Sequence, residues 1–177
     1  MLNRCRQIVF NPLSWIHPGR LTLPENFRSP RCQSLLNDFL LRQYQLPTEA
    51  INLNNAQEKF LVENWAVLAR AAFMVACQRQ RLRLARTGLF ARLDRATRQF
   101  ALAELTPAHD DSVQLDFAEL WHNACGELNV FAAGCSETIK KRVVLLCPEA
   151  ATGALMPELA DNEFLLRMAV QNARRAA

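Results

Sequence analysis

Three histidines are the residues of this chain best suited to acid–base chemistry: His17, His109 and His122. His109 precedes Asp110 and Asp111, and a carboxylate can orient an imidazole for proton transfer. Adjacent side chains do not face each other, however, and no nucleophile motif lies nearby. GxGxxG, GxxxxGK[ST], GxSxG and HExxH motifs do not occur. We therefore interpret residues 106–112 as a solvated loop and do not expect an enzyme.

A second chemical possibility is a zinc site built from thiols, since the 177 residues include six cysteines. The candidate ligand set comprises His122, Cys125, Cys135 and Cys147. Structural zinc sites commonly use two pairs of ligands about two to four residues apart, and only His122 and Cys125 meet this spacing. No CxxC pair occurs, and several cysteines adjoin apolar segments. We expect reduced thiols of a cytosolic protein, and no metal or other cofactor.

Arginine dominates the charge of residues 79–98, where seven arginines accompany a single acidic residue, Asp94. The candidate partner-binding patch comprises Arg79, Arg83, Arg86, Arg92 and Arg95. On one continuous helix the first three of these share a side. Three interpretations remain open: a solvated face whose long stems cover the core edge, an acidic partner, and nucleic-acid phosphates. The acidic partner is either another protein or the acidic C-terminal half of this chain. No recognition-helix motif accompanies the arginines, so we expect no nucleic-acid partner.

The two parts of the chain carry opposite charge, although the formal net charge is only +4. Residues 1–100 contain 15 basic and 6 acidic residues, whereas residues 101–177 contain 6 and 11. The most apolar stretch, residues 66–77, is shorter than the roughly 20 residues of a membrane span and contains Arg70. No apolar run of signal-peptide length follows the N-terminus. We expect a cytoplasmic protein with no direct membrane insertion.

Apolar residues recur at helical spacing along nearly the whole chain. Those from Leu89 to Ala103 follow steps of four and three, which indicates one amphipathic helix. Ser29 followed by Pro30 is typical of a helix start, and Gly88 of a helix end. Alternating strand patterns and hairpin turns are absent. We predict an all-α fold, a single multi-helix domain over residues 1–177 with little or no β structure, in which residues 1–28 form a non-helical arm.

The most distinctive segment reads FNPLSWIHPGRL at residues 10–21, and we name it the signature segment. It closely resembles the signature Asp/Asn-Pro-Leu-Ser-aromatic-Ile-His-Pro-x-Arg-Leu of the SctK family of type III secretion sorting-platform adaptors, which includes OrgA and MxiK. Residues 76–88 are similar to that family's small-Cys-x-(K/R) … Leu-Ala-Arg-x-Gly segment. Residues 125–148 are similar to its Gln-Leu-Asn … Leu-Leu-Phe-Pro stretch.

This resemblance implies a non-catalytic, mostly helical adaptor located peripherally at the inner membrane, at the cytoplasmic base of the secretion apparatus. Such an adaptor would link the cytoplasmic domain of an SctD-type inner-membrane ring protein to pods of SctQ-type and SctL-type proteins. Two other functions compete with it. A type III secretion chaperone is disfavoured because such chaperones are typically acidic α/β dimers, and a basic helical nucleic-acid-binding protein would use the arginines.

Seven residues of the signature segment are candidate site residues: Pro12, Ser14, Trp15, Ile16, His17, Pro18 and Arg20. The two prolines restrain the backbone, the aromatic and aliphatic side chains require burial, and the histidine and arginine offer hydrogen-bond donors. Two interpretations are open. The residues either pin the N-terminal arm to the helices, which we favour, or contact a partner directly.

Overall fold

The computed structural model describes residues 1–23, 27, 29–103, 105–106, 115–149 and 162–176. These residues form helices and connecting turns without a strand, which confirms the all-α class. The α-helices are α1 Leu2–Phe10, α2 Pro30–Gln43, α3 Ala56–Asn64, α4 Leu68–Arg79, α5 Arg81–Thr87, α6 Arg95–Leu102, α7 Phe117–Phe131, α8 Glu137–Val143 and α9 Asn162–Arg175. Short 3-10 turns include Pro12–Ser14, Pro18–Arg20, Leu89–Arg92 and Val144–Leu146.

The chain divides into two compact units. The first comprises Met1–Ala66 and Ala132–Glu149 and contains α1, α2, α3 and α8. The second comprises Val67–Phe131 with the C-terminal helix, and contains α4 to α7 and α9. That residues 1–177 act as a single domain stays a prediction.

The second unit is built around α4, which contacts α6, α7 and α9. Residues of α4 are buried on almost every side, including Leu68 and Met74, as expected for a helix that is apolar all round. The helical stretch Ala56–Arg79, at 24 residues, is long and apolar enough to cross a membrane by length and composition alone, but 61% of its apolar window is buried. Most of residues 68–77 lie buried in α4.

The core of the first unit joins the signature segment to α2 and to the turn after α8. Ile16 packs with Leu40, Leu46 and Leu145. Hydrogen-bonded caps fix the helix starts as their sequences predict: Ser29 accepts from the Cys32 amide, and Asn55 accepts from the amides of the first turn of α3.

The prediction of a non-helical N-terminal arm is wrong for residues 2–10, which form α1. Ile8 and Val9 are buried in this short helix, whereas Asn11 leaves the helical conformation and Pro12 starts the next turn. Nine residues contain too few apolar positions to reveal a helical period, and tertiary burial stabilises a helix of this length.

The prediction of one helix from Leu89 to Ala103 is also wrong. Gly88 adopts φ 72° and ends α5, after which Leu89–Arg92 forms a 3-10 turn. Asp94 then caps a new helix, α6, by accepting from the amides of Ala96 and Thr97. Asp94, whose side chain offers an oxygen acceptor two residues after the turn, was the sequence signal for the start of this second helix.

Candidate functional site

Trp15 of the signature segment lies against the C-terminal end of α1. Its Nε1 donates to the carbonyl oxygen of Ile8 at 3.1 Å. The edge of its ring packs on Trp65, with ring centroids 5.4 Å apart and an interplanar angle of 85°. Edge-to-face aromatic pairs of this kind are favourable beyond the area they bury. Trp15 therefore holds α1 to the end of α3.

His17 is held by hydrogen bonds from both its backbone and its ring. Its amide donates to the carbonyl oxygen of Leu145 at 2.9 Å, and its Nδ1 accepts from the Gly19 amide at 3.0 Å. An Nδ1 that accepts a hydrogen bond carries no proton. Burial, together with the charge of Arg20, lowers the pKa of His17 below its ordinary value of 6.5, so the structure favours the neutral imidazole.

Arg20 caps the C-terminal end of the turn that follows α8. Its Nε donates to the carbonyl oxygen of Cys147 at 2.6 Å, and its Nη2 donates to those of Val144 at 3.0 Å and Pro148 at 3.3 Å. Carbonyl groups at a helix end have no partners within the helix. The planar guanidinium fork donates to all three carbonyl oxygens at once, although that of Val144 also accepts from the Cys147 amide. An ammonium group cannot reproduce this geometry.

The remaining signature residues complete the same arrangement. Pro12 and Ile16 are buried, whereas Ser14 and Pro18 are exposed. The Leu13 amide donates to Oδ1 of Asn37 in α2 at 2.9 Å. The polar groups of the segment are thus used chiefly within the first unit, and Ser14 and Pro18 are the exposed ones among its seven candidate site residues.

Two of the arginines in the candidate patch are buried and paired with carboxylates of α7. The Nε of Arg79 lies 2.6 Å from Oε1 of Glu127, and these side chains are 7% and 1% exposed. Arg83 donates from both terminal nitrogens to Glu119, at 2.7 and 3.1 Å. The acidic partner of these two arginines is therefore the chain itself. Neither residue belongs to a solvated face.

The other three arginines of the patch, Arg86, Arg92 and Arg95, are exposed. The guanidinium of Arg92 lies 4.7 Å from the centre of the Phe117 ring, a cation–π contact. Arg79 does not lie on the same helix as Arg83 and Arg86, because α4 ends at Arg79 and α5 begins only after Gln80. Arg79 and Arg83 are buried whereas Arg86 is exposed, so the prediction that these three share one side of a continuous helix is wrong.

A comparison with models of known protein families identifies the family to which this helical chain belongs. The model described as a bacterial type III secretion apparatus protein, OrgA_MxiK, matches residues 5–175. The chain belongs to the OrgA/MxiK family.

Curated relatives agree with this assignment. The oxygen-regulated invasion proteins OrgA of Salmonella typhimurium strains SL1344, LT2 and 14028s are each 26% identical to the chain over 181 residues. The alignment covers 96% of this chain and 86% of each relative. No solved structure matches.

Arg142 is the buried residue of this OrgA/MxiK chain that the sequence analysis missed. It is fully buried and donates to the carbonyl oxygens of Ile8, Val9 and Thr138 at 3.2, 2.8 and 3.0 Å. Burial lowers the pKa of its guanidinium to about 10, which leaves it charged at neutral pH. The sequence signal for this burial was the position of Arg142 directly before the apolar run Val143–Leu146.

No disulfide joins any of the six cysteines of this OrgA/MxiK chain, all of which lie among the described residues. Burial, reinforced by the charge of Asp94, raises the pKa of the Cys77 thiol to about 12. Burial and Glu58 raise that of Cys135 to about 11. Thiols of this kind stay protonated and unreactive at neutral pH.

The structure brings together no metal-ligand set in the part of the chain that it describes. There, no three His, Cys, Asp or Glu residues are placed to hold a metal ion, and this includes the set His122, Cys125, Cys135 and Cys147. The loop candidates His109, Asp110 and Asp111 lie outside the described residues, as does most of the predicted loop 106–112.

Proposed function

We propose that this OrgA/MxiK-family chain is a non-catalytic adaptor of a type III secretion sorting platform. In this role it links the cytoplasmic domain of an SctD-type inner-membrane ring protein to pods of SctQ-type and SctL-type proteins, in the cytoplasm and peripheral to the inner membrane. The observation that carries the proposal is the family match over residues 5–175. A match of that extent leaves little of the chain for an unrelated function.

The geometry of the signature segment supports a scaffold. Trp15, His17 and Arg20 connect α1 to the end of α3 and to the turn after α8. In our proposal these residues are structural, and they fix the position of exposed surfaces on α1 and α2. Among the seven candidate site residues of the segment, Ser14 and Pro18 are exposed and therefore accessible to a partner.

The charge of the surface supports protein partners. Arg86, Arg92 and Arg95 are exposed, and we propose that they meet an acidic surface of a platform protein. Arg79 and Arg83 are buried against Glu127 and Glu119. These two arginines are therefore not exposed to bind nucleic-acid phosphates. Nucleic-acid binding is accordingly a weaker alternative. The chaperone function is weaker because such chaperones are typically α/β, whereas the described residues contain no strand.

Fluorescence microscopy of the secretion system that encodes this chain tests the proposal. With a fluorescent SctQ-type pod protein, deletion of the gene for this chain is expected to disperse the pod foci, while foci of the SctD-type ring protein persist. Restoring the chain should restore the pod foci. Pod foci that persist without the chain, or ring foci that vanish with it, would overturn the bridging role.

A further inference from the structure

One face of α2 is apolar and exposed although the helix already buries its opposite side. Leu35 and Phe39, four residues apart, are 62% and 54% exposed. Leu40 and Leu41 of the same helix belong to the core of the first unit. Residues four apart lie one above the other on a helix, so Leu35 and Phe39 form a continuous apolar ridge.

Arginines bracket this ridge. Arg31 lies one turn before Leu35 and Arg42 one turn after Phe39, and both are exposed. We name these four residues the α2 outer face. It extends from Arg31 to Arg42, eleven helical steps that correspond to about 16 Å, or roughly three turns.

Helix α1 repeats the pattern beside it. Leu2 and Phe10 are 74% and 52% exposed, and Arg6 lies between them at spacings of four on the same exposed side. Helices α1 and α2 contact each other within the first unit. Single exposed apolar residues are ordinary, but large apolar residues repeated on neighbouring helices mark an interaction surface.

We propose that the α2 outer face binds an acidic amphipathic helix of a protein partner, and this inference rests on the proposed adaptor function. The apolar ridge would receive the apolar side of that helix, and Arg31 and Arg42 would pair with carboxylates along its edges. Residues 1–23 contain three arginines and neither Asp nor Glu. Two of these arginines, Arg4 and Arg6, lie exposed on α1, so the charge of α1 and of Arg31 and Arg42 favours a partner of negative charge.

The exposed residue Asp38 favours a protein over a lipid surface. It follows Leu35 by three positions and precedes Phe39 directly, so it lies at the border of the ridge. An anionic bilayer would repel this carboxylate, and two basic residues contribute only about 1 kcal/mol each to membrane attraction. A partner helix can instead place a basic residue against Asp38.

Binding of a paired variant tests the surface. The probes are the purified cytoplasmic domain of the SctD-type ring protein and the purified SctQ-type and SctL-type pod proteins. Leu35→Ser with Phe39→Ser is expected to weaken the Kd for one of them by about tenfold or more, as for central apolar contacts. Leu102→Ser with Phe164→Ser is the matched control, because Leu102 and Phe164 are 59% and 50% exposed but belong to the second unit.

Charge reversal supplies an independent measurement. Arg31→Glu with Arg42→Glu is expected to weaken the same Kd by a similar factor and to reduce its salt dependence, because the screened attraction is removed. Arg175→Glu, at an exposed position of α9, serves as its control. All variants change exposed side chains, and an unaltered thermal midpoint verifies that each is folded.

Site-specific photo-crosslinking at positions 35 and 39, with peptide identification, names the occupant. A crosslink to a helical partner segment of net negative charge supports the proposal. Three results would overturn it. The first is a crosslink to this same chain, and the second is unchanged Kd values for both paired variants. The third is binding to vesicles of phosphatidylcholine with about one-third phosphatidylserine, if Leu35→Ser with Phe39→Ser abolishes that binding. If the unaltered chain binds its partners while the variants bind equally well, only this surface fails. If the unaltered chain binds none of them, the adaptor function fails, and the inference with it.

Discussion

The Nε of Arg20 donates to the carbonyl oxygen of Cys147 at 2.6 Å, across 127 positions of the chain. This hydrogen bond joins two of the three segments whose sequences resemble the secretion-adaptor family, the signature segment and the stretch 125–148. Leu145 is joined to the same segment through the backbone amide of His17. The signature segment and the C-terminal end of the stretch 125–148 are thus connected within the first unit.

Arg20→Lys is expected to lower the free energy of unfolding by about 1–3 kcal/mol, because a buried carbonyl that loses its donor costs that much. Lysine keeps the charge but cannot reach the carbonyl oxygens of Val144, Cys147 and Pro148 with one planar fork. Chemical denaturation measures the change. Arg6→Lys, at an exposed position of α1, is the control, and an equal effect of both variants would contradict the capping role.

Trp15→Ala is expected to lower the free energy of unfolding by roughly 3 kcal/mol, in the range of large-to-small changes in a core. It removes the contact with Trp65 and the hydrogen bond to Ile8. Thermal melting followed by circular dichroism measures it. Phe10→Ala, which alters an aromatic residue that is half exposed, should change stability little. A Trp15→Ala variant that melts normally but no longer captures a platform protein would make the residue an interface contact instead.

His17→Asn should flatten the dependence of stability on pH. Because the folded-state pKa of His17 lies below 6.5, the unfolded chain binds a proton that the folded chain excludes, and stability falls as the pH drops below about 6.5. Asparagine still offers an acceptor to the Gly19 amide but does not titrate.

Denaturation curves between about pH 5 and pH 7 follow the His17 effect. The unaltered chain should lose stability toward acid pH more steeply than His17→Asn, with similar values for both near neutrality. His122→Asn, at the other described histidine, controls for general effects of histidine removal. Parallel curves for His17→Asn and the unaltered chain would contradict the role assigned to the neutral imidazole.

Glu127→Gln is expected to lower the free energy of unfolding of the second unit by about 3–5 kcal/mol, because it leaves the buried charge of Arg79 without its carboxylate. Asn162 of α9 donates to the backbone oxygen of Glu127 at 3.2 Å and also to its carboxylate, so loosening of α9 should accompany the loss. Hydrogen exchange of α9 amides and denaturation measure both effects. Glu137→Gln changes an exposed carboxylate and should have little effect; a comparable loss there would argue against the buried pair.

Sequence reasoning succeeded where a pattern depends on neighbouring residues. Helical periodicity along nearly the whole chain predicts the all-α class, and the local chemistry of Ser29 and Gly88 predicts helix ends, because caps involve contacts within a few residues. The burial of α4 follows from its apolar composition. These features determine the fold class without knowledge of any long-range contact.

Sequence reasoning failed where the partner lies far along the chain. The arginines of residues 79–98 look alike in sequence, yet Arg79 and Arg83 are buried against α7 while Arg86 and Arg95 are exposed. Arg142 follows two lysines and looks like one more exposed basic residue in the sequence. Its burial is explained only by its hydrogen bonds to the carbonyl oxygens of Ile8 and Val9, more than 130 positions away. Helix α1 is too short to show a period, so its existence depends on those same contacts.

Reconstitution from purified proteins tests the adaptor function most directly. The immobilised cytoplasmic domain of the SctD-type ring protein would be incubated with SctQ-type and SctL-type pod proteins, with and without this chain. We predict that the ring domain retains the pod proteins only when the chain is present, and that all of them elute together in size-exclusion chromatography. Retention of the pod proteins without the chain, or binding of the chain to only one side of the intended bridge, would contradict the account.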